Sequence, residues 1–130
     1  TLIELLVVFA VVGVLAGGVF TAINPLKRIQ QANDAKIKND ISQIAQAEQA
    51  YFTSSSGQTY ALTVGALVTS NDLKAAPVAP TGSSYNITGG AADIAVWAPL
   101  TETGAGWYCW QSSTGVSKIS ASVPSGATCP

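Results

Sequence analysis

The chain has 130 residues, six of them Lys or Arg and seven Asp or Glu, with a net charge of −1; this length predicts one domain, with at most an appended segment. So weak a charge balance gives no indication of nucleic acid or an acidic lipid surface as partner. There is no His, which excludes a Ser/His/Asp set and imidazole metal ligation, and no enzymatic activity is expected.

From Leu5 to Phe20 the sequence holds only apolar residues and Gly, and the apolar character runs on to Ile23. As a helix, Leu2 to Ile23 would be roughly 33 Å long, enough to cross a bilayer core of about 30 Å. Being apolar on every side, it needs lipid or other helices around it. A cleavable signal peptide fits poorly, because the run lacks a basic start, is too long and contains Glu4. With no Met anywhere and Thr at the first position, the chain is expected to have lost an initiator and a leader. Asn24-Pro25 punctuates the run, since Pro lacks a backbone donor and disfavours helix at the residue before it. Gly17-Gly18 is a second weak point. A kink or locally melted helix is therefore expected between Gly17 and Pro25, and residues 1–25 form the first segment.

Residues 26–53 switch to an amphipathic helix. Leu26, Ile29, Ile37, Ile41, Ile44 and Tyr51 recur at helical spacings. Lys27, Arg28, Asp34, Lys36, Lys38, Asp40 and Glu48 are expected off that stripe, and Thr53 to Gly57 ends the helix with small polar residues and a glycine.

Residues 54–130 are rich in Ser, Thr, Gly and Pro. Four short β-like runs are expected, Ser84–Thr88, Asp93–Ala98, Trp107–Gln111 and Val116–Ser120, separated by turn clusters at Gly89-Gly90, Thr103–Gly106 and Ser112–Gly115. A short helix is expected within Leu62–Lys74. The fold class that follows is α+β: a long N-terminal helix, apolar then amphipathic, packed on a small antiparallel sheet head. Cys109 and Cys129 lie far from metal-type spacing and point to one disulfide in an oxidising compartment, against the alternative of two unpaired buried thiols. Asp93 and Glu102 are the only carboxylates after Asp72, so no metal or other cofactor is expected. Asn86-Ile87-Thr88 matches a glycosylation triplet but is read as chance. Among the aromatic residues Trp97, Trp107, Tyr108 and Trp110, alternation places Trp107 on one strand face and Tyr108 and Trp110 on the other, with core and subunit packing favoured over a binding site.

Glu4 is the informative position. An ionised group in an apolar run costs about 2.5–3.5 kcal/mol at mid-bilayer. Within a bundle of such helices it needs a cation or a proton. The nearest cation on its own chain is the α-amino group, with Lys27 and Arg28 far along the helix. A neighbouring subunit's N-terminus is the other candidate, and such a heterologous contact does not close, so it generates a filament. The alternative is a glutamate that reaches the interface and merely orients a single membrane helix.

Thr1-Leu2-Ile3-Glu4-Leu5-Leu6-Val7-Val8, with Gly13 further along, resembles the N-terminus of type IV prepilins after leader removal. The continuation to Ala-Glu-Gln-Ala-Tyr-Phe at residues 47–52 is similar to the helix of pilins and major pseudopilins. The resemblance implies that a prepilin peptidase removes a leader and methylates the new N-terminus. It also implies that Glu4 pairs with that amine on an adjacent subunit, and that Thr1, Leu2, Ile3, Leu5 and Leu6 take part in assembly. An assembly ATPase and a platform protein would draw subunits from the inner membrane into an extracellular homopolymeric filament serving adhesion, motility or DNA uptake. Two departures stand out. The family's N-terminal Phe is missing, so a methylated Phe is expected to precede Thr1. The family's kinking proline falls a few residues before Pro25. Lys27 and Arg28, by the positive-inside rule, would place the far side of the span in the cytoplasm, whereas the disulfide places it outside. The disulfide is preferred, because the removed basic leader would carry the orientation signal. The rivals are a major pseudopilin of type II secretion, disfavoured because no acidic calcium loop is apparent, and a single-span membrane protein displaying a binding module.

Overall fold

The computed structural model describes all residues, Thr1–Pro130. Helix α1 covers Leu2–Ile23 and α2 covers Pro25–Ser54. A single residue separates them. Asn24 adopts a left-handed backbone, φ 46° and ψ 75°, which Asn tolerates better than most residues because its short side chain bonds locally. Its Oδ1 accepts from Lys27 N at 3.4 Å, and Pro25 fills the first position of α2, where a missing N–H costs nothing. The interruption thus sits at Asn24, while Gly17 and Gly18 stay within α1.

The core forms where α2 meets a four-stranded antiparallel sheet of β1 (Asn86–Gly89), β2 (Ile94–Pro99), β3 (Trp107–Gln111) and β4 (Ser117–Ser120), ordered β1-β2-β3-β4. Ile37, Ile41 and Ile44, one stripe of α2, are fully buried against Ile94, Val96, Ala98 and Trp110. The other sheet face carries Ala95 and Cys109, with Trp97 packed alongside, and is covered by the C-terminal segment through Cys129. Cys109 and Cys129 form a disulfide with Cα atoms 5.9 Å apart. The head therefore has three layers: helix, sheet and stapled tail. Helix α3 (Val64–Thr69) adds Leu67 to the core. Thr63 begins it by accepting from Ala66 N through its hydroxyl at 3.2 Å. It is shorter than the Leu62–Lys74 window, because Ser70 to Ala75 turns away through Asn71 at φ 65°.

The fold class is the expected α+β, a long apolar-then-amphipathic helix leading into a small antiparallel sheet. Two expectations about α2 are corrected. Leu26 and Ile29 are exposed, not core, because the head begins further along the helix. Asp34, Asp40 and Glu48 are buried, not solvent-facing.

Candidate functional site

Helix α1 has no buried residue. Every large apolar side chain from Leu2 to Ile23 is more than half exposed, and the helix is long and apolar enough to cross a membrane, with a mean hydropathy of 2.6 over its best window. This uncovered surface far exceeds the isolated apolar residues normal on a soluble monomer, so it marks a contact with lipid or protein.

At the tip, Glu4 lies in the first turn of α1, among Leu2, Ile3, Leu5 and Leu6. The Thr1 α-amino group donates to Glu4 Oε2 at 2.9 Å, and both groups are exposed. Ammonium and carboxylate thus occupy the same end of the rod, within an apolar sleeve. Further along, an added Cβ at Gly13, Gly17 or Gly18 would meet nothing within 4 Å. Asn24 and Pro25 then terminate the rod as described.

Sequence periodicity missed the carboxylates that fasten the head to α2. Asp34 accepts from the Thr101 N–H at 2.6 Å, the Thr101 hydroxyl at 2.7 Å and the Glu102 N–H at 3.3 Å. Asp40 accepts from Lys36 Nζ and from the Tyr85 hydroxyl. Lys36 also donates to the Val78 carbonyl at 2.7 Å. Burial, together with the adjacent Asp40 carboxylate, holds the Tyr85 phenol well above the usual tyrosine range. Glu48 is fully buried, with Oε2 accepting from Ala61 N at 2.9 Å and Oε1 without a partner. Burial pushes its carboxyl up to about 7, against the smaller lowering effect of the Ala61 hydrogen bond. Each carboxylate holds a different irregular segment: the β2–β3 loop, the lead into β1, and the stretch after α2. The signal was present in the spacing 34, 37, 41, 44, 48, 51, which places Asp34 and Glu48 in register with the isoleucines.

Lys38 Nζ lies 5.9 Å from the centre of the Tyr108 ring. Tyr108 and Trp110 contribute to the helix-facing core, whereas Trp97 belongs to the disulfide side. No three His, Cys, Asp or Glu side chains come together as a metal-binding group. Comparisons with protein-family models, with curated proteins and with solved structures find no match.

Proposed function

We propose that this chain is a structural subunit of a type IV pilus-like filament, polymerising through its N-terminal helices after a membrane-resident stage. The observation that carries this reading is the wholly uncovered apolar rod with a carboxylate at its tip, continuous with a disulfide-closed head. Rods leaving the bilayer gain little hydrophobic free energy by packing on one another, because lipid already covers them. Once the fibre stands in water, separating them would expose side chains worth roughly 1.5–3 kcal/mol each, which holds the fibre together. Glu4 imposes the register. In the single chain its own Thr1 ammonium meets it at 2.9 Å. Once other rods enclose the tip, exchanging that partner for the amine of an axially staggered neighbour keeps the buried carboxylate paired while fixing the stagger. Because the amine of one copy meets the Glu4 of the next through an axial stagger, the contact is heterologous and repeats without closing. The prepilin-like N-terminus adds the expected processing by a prepilin peptidase, extrusion by an assembly ATPase and platform protein, and a cell-surface role in adhesion, motility or DNA uptake.

The test is expression beside a complete pilus assembly machinery, with sheared surface fibres imaged by electron microscopy and identified by mass. Wild type should yield long fibres of this subunit. Glu4→Ala should yield few or none while its head stays oxidised and folded, and Glu4→Asp should retain part of the yield. Wild-type fibre amounts from Glu4→Ala would refute the pairing role. Short fibres formed only with a secretion machinery would favour the pseudopilin reading, and a persistent monomer would favour the membrane-anchored binding module.

A further inference from the structure

We propose that the first turn of α2 is a docking collar for anionic phospholipid headgroups, engaged while the chain resides in the membrane; this rests on the membrane-resident stage of the reading above. At about 1.5 Å per residue α1 consumes the thickness of the bilayer core, so the residues just after Ile23 lie at headgroup level. Those residues are Leu26, Lys27, Arg28 and Ile29. Leu26 and Ile29 are 65 % and 59 % exposed and share one side of the turn, while the two basic residues flank them. This is the arrangement of a chain emerging from a membrane, with apolar side chains toward the acyl boundary and cations reaching the phosphates.

The turn is open because the head's hydrogen bonds to α2 begin only beyond it, and the β2–β3 loop reaches it through one loose ion pair. The nearest hold is the Thr101 hydroxyl donating to the Gln30 carbonyl at 3.1 Å, followed by Asp34. Arg28 has no carboxylate partner; its Nη1 makes a single 3.5 Å contact with Gln31 Oε1. Lys27 Nζ faces Glu102 Oε1 at a loose 3.8 Å, with both side chains solvent-accessible. Beside them a shallow cleft of about 280 Å³, lined by Asn24, Leu26, Lys27, Gln30, Glu102 and Thr103, leaves room for a phosphate group. Between Glu4 and Asp34 the sequence has no acidic residue, and Asp34, Asp40 and Glu48 are turned into the head. Against the single negative charge of Glu102 stand the two positive charges of Lys27 and Arg28. The net charge of −1 over the chain, which gave no sign of an acidic lipid partner, therefore hides a collar that is cationic on balance.

The experiment uses the full chain reconstituted in phosphatidylcholine vesicles containing phosphatidylglycerol. Energy transfer is measured from the head tryptophans to dansyl-labelled phosphatidylglycerol or dansyl-labelled phosphatidylcholine. Each basic residue near the surface should enrich the anionic lipid by about five-fold at low salt. The anionic label should therefore be the stronger acceptor, and the preference should shrink in high salt. The variant Lys27→Gln with Arg28→Gln should lose the preference. The charge-keeping variant Lys27→Arg with Arg28→Lys should retain it, as should Lys74→Gln with Lys118→Gln. Equal transfer to both labels from wild-type protein, or a preference unchanged by the Gln pair, overturns the collar while leaving the filament reading intact. Extraction of the wild-type chain from the vesicles by alkaline carbonate would overturn the collar and the membrane-resident stage together.

Discussion

Asp34 on α2 receives both backbone N–H groups of the Thr101-Glu102 peptide pair, at 2.6 and 3.3 Å, from a loop 67 and 68 residues downstream. A helix carboxylate thereby satisfies donors that the β2–β3 loop cannot satisfy within the sheet. Asp34→Ala should destabilise the head by about 2–4 kcal/mol, since it strands partly buried donors that are bonded to a charged acceptor. Asp34→Asn should cost less, because one oxygen still accepts. The exposed Lys27–Glu102 pair is the control: Lys27→Gln should change stability by less than about 1 kcal/mol. Denaturant unfolding of the full chain in mild detergent, followed by tryptophan fluorescence, measures all three. A neutral Asp34→Ala would show that water replaces the carboxylate at no cost.

Glu48 makes the head less stable as pH rises from the acid side toward neutrality. Its carboxyl titrates at about 7 in the folded head, against 4.5 when unperturbed. Between these values the folded state holds a proton that the unfolded state has lost, so stability falls as pH rises through the interval and levels off above about 7. The full difference is roughly 3 kcal/mol at 1.36 kcal/mol per pH unit. Glu48→Gln keeps an acceptor for Ala61 N and carries no charge. It should remove this slope and make the head more stable than wild type at pH 8. Unfolding midpoints at pH 5, 6, 7 and 8 test it; the same slope in both proteins would assign the pH dependence to other groups.

The legible part of the fold was the part written in local pattern. Trp107–Gln111 is a short aromatic-rich run bounded by turn clusters, and β3 has those bounds. The neighbouring strands differ from expectation by a residue or two at their ends, where turn hydrogen bonds decide the boundary. The burial of Asp34 and Glu48 was only half legible: their spacing sets them in register with the isoleucines, but charge signals solvent unless donors arrive from elsewhere. Those donors, at Thr101, Glu102 and Ala61, come from irregular segments with no periodicity of their own. Leu26 was misplaced for a different reason. It does fall near the isoleucine side of α2, but no part of the head extends far enough to cover it, and helical phase carries no information about where a partner layer stops. Glu4 stood out because its cost is intrinsic to the residue and its apolar neighbours. The three fastening carboxylates become intelligible only through tertiary contacts.

The Cys109–Cys129 bridge spans 20 residues and holds the tail over the outer face of the sheet, where Ala95 and Cys109 are fully buried. In a chain-entropy account, losing a loop closure of this size costs about 3 kcal/mol. Cys109→Ser with Cys129→Ser should lower the unfolding free energy of the head by that order and increase amide exchange in the tail and β3. Exchange in α1 should not change, since α1 has no buried residue against the head. Equal protection of the tail in both proteins would mean that Cys129 N donating to Gln111 Oε1 at 3.2 Å and its neighbours suffice to hold it.

Two glycine replacements should act in opposite directions, because one glycine is enclosed and the others are free. Gly106 has φ 79°, and a Cβ there would lie 2.2 Å from the Ser120 carbonyl oxygen of β4. That oxygen is backbone and cannot swing aside as a side chain would. Gly106→Ala should therefore destabilise the head by about 2–3 kcal/mol, combining the left-handed strain with displacement of the strand edge. At Gly17 and Gly18 the same methyl group enters open space on a helical backbone. Gly17→Ala with Gly18→Ala should add up to about 1 kcal/mol of helix stability per site and leave head unfolding unchanged. Amide exchange of the full chain in detergent micelles resolves the two effects. The first variant should show lost protection in β3 and β4, and the second should show slower exchange confined to the second half of α1. Faster exchange around Ala16 to Ile23 in the double variant would contradict a continuous helix through the glycine pair.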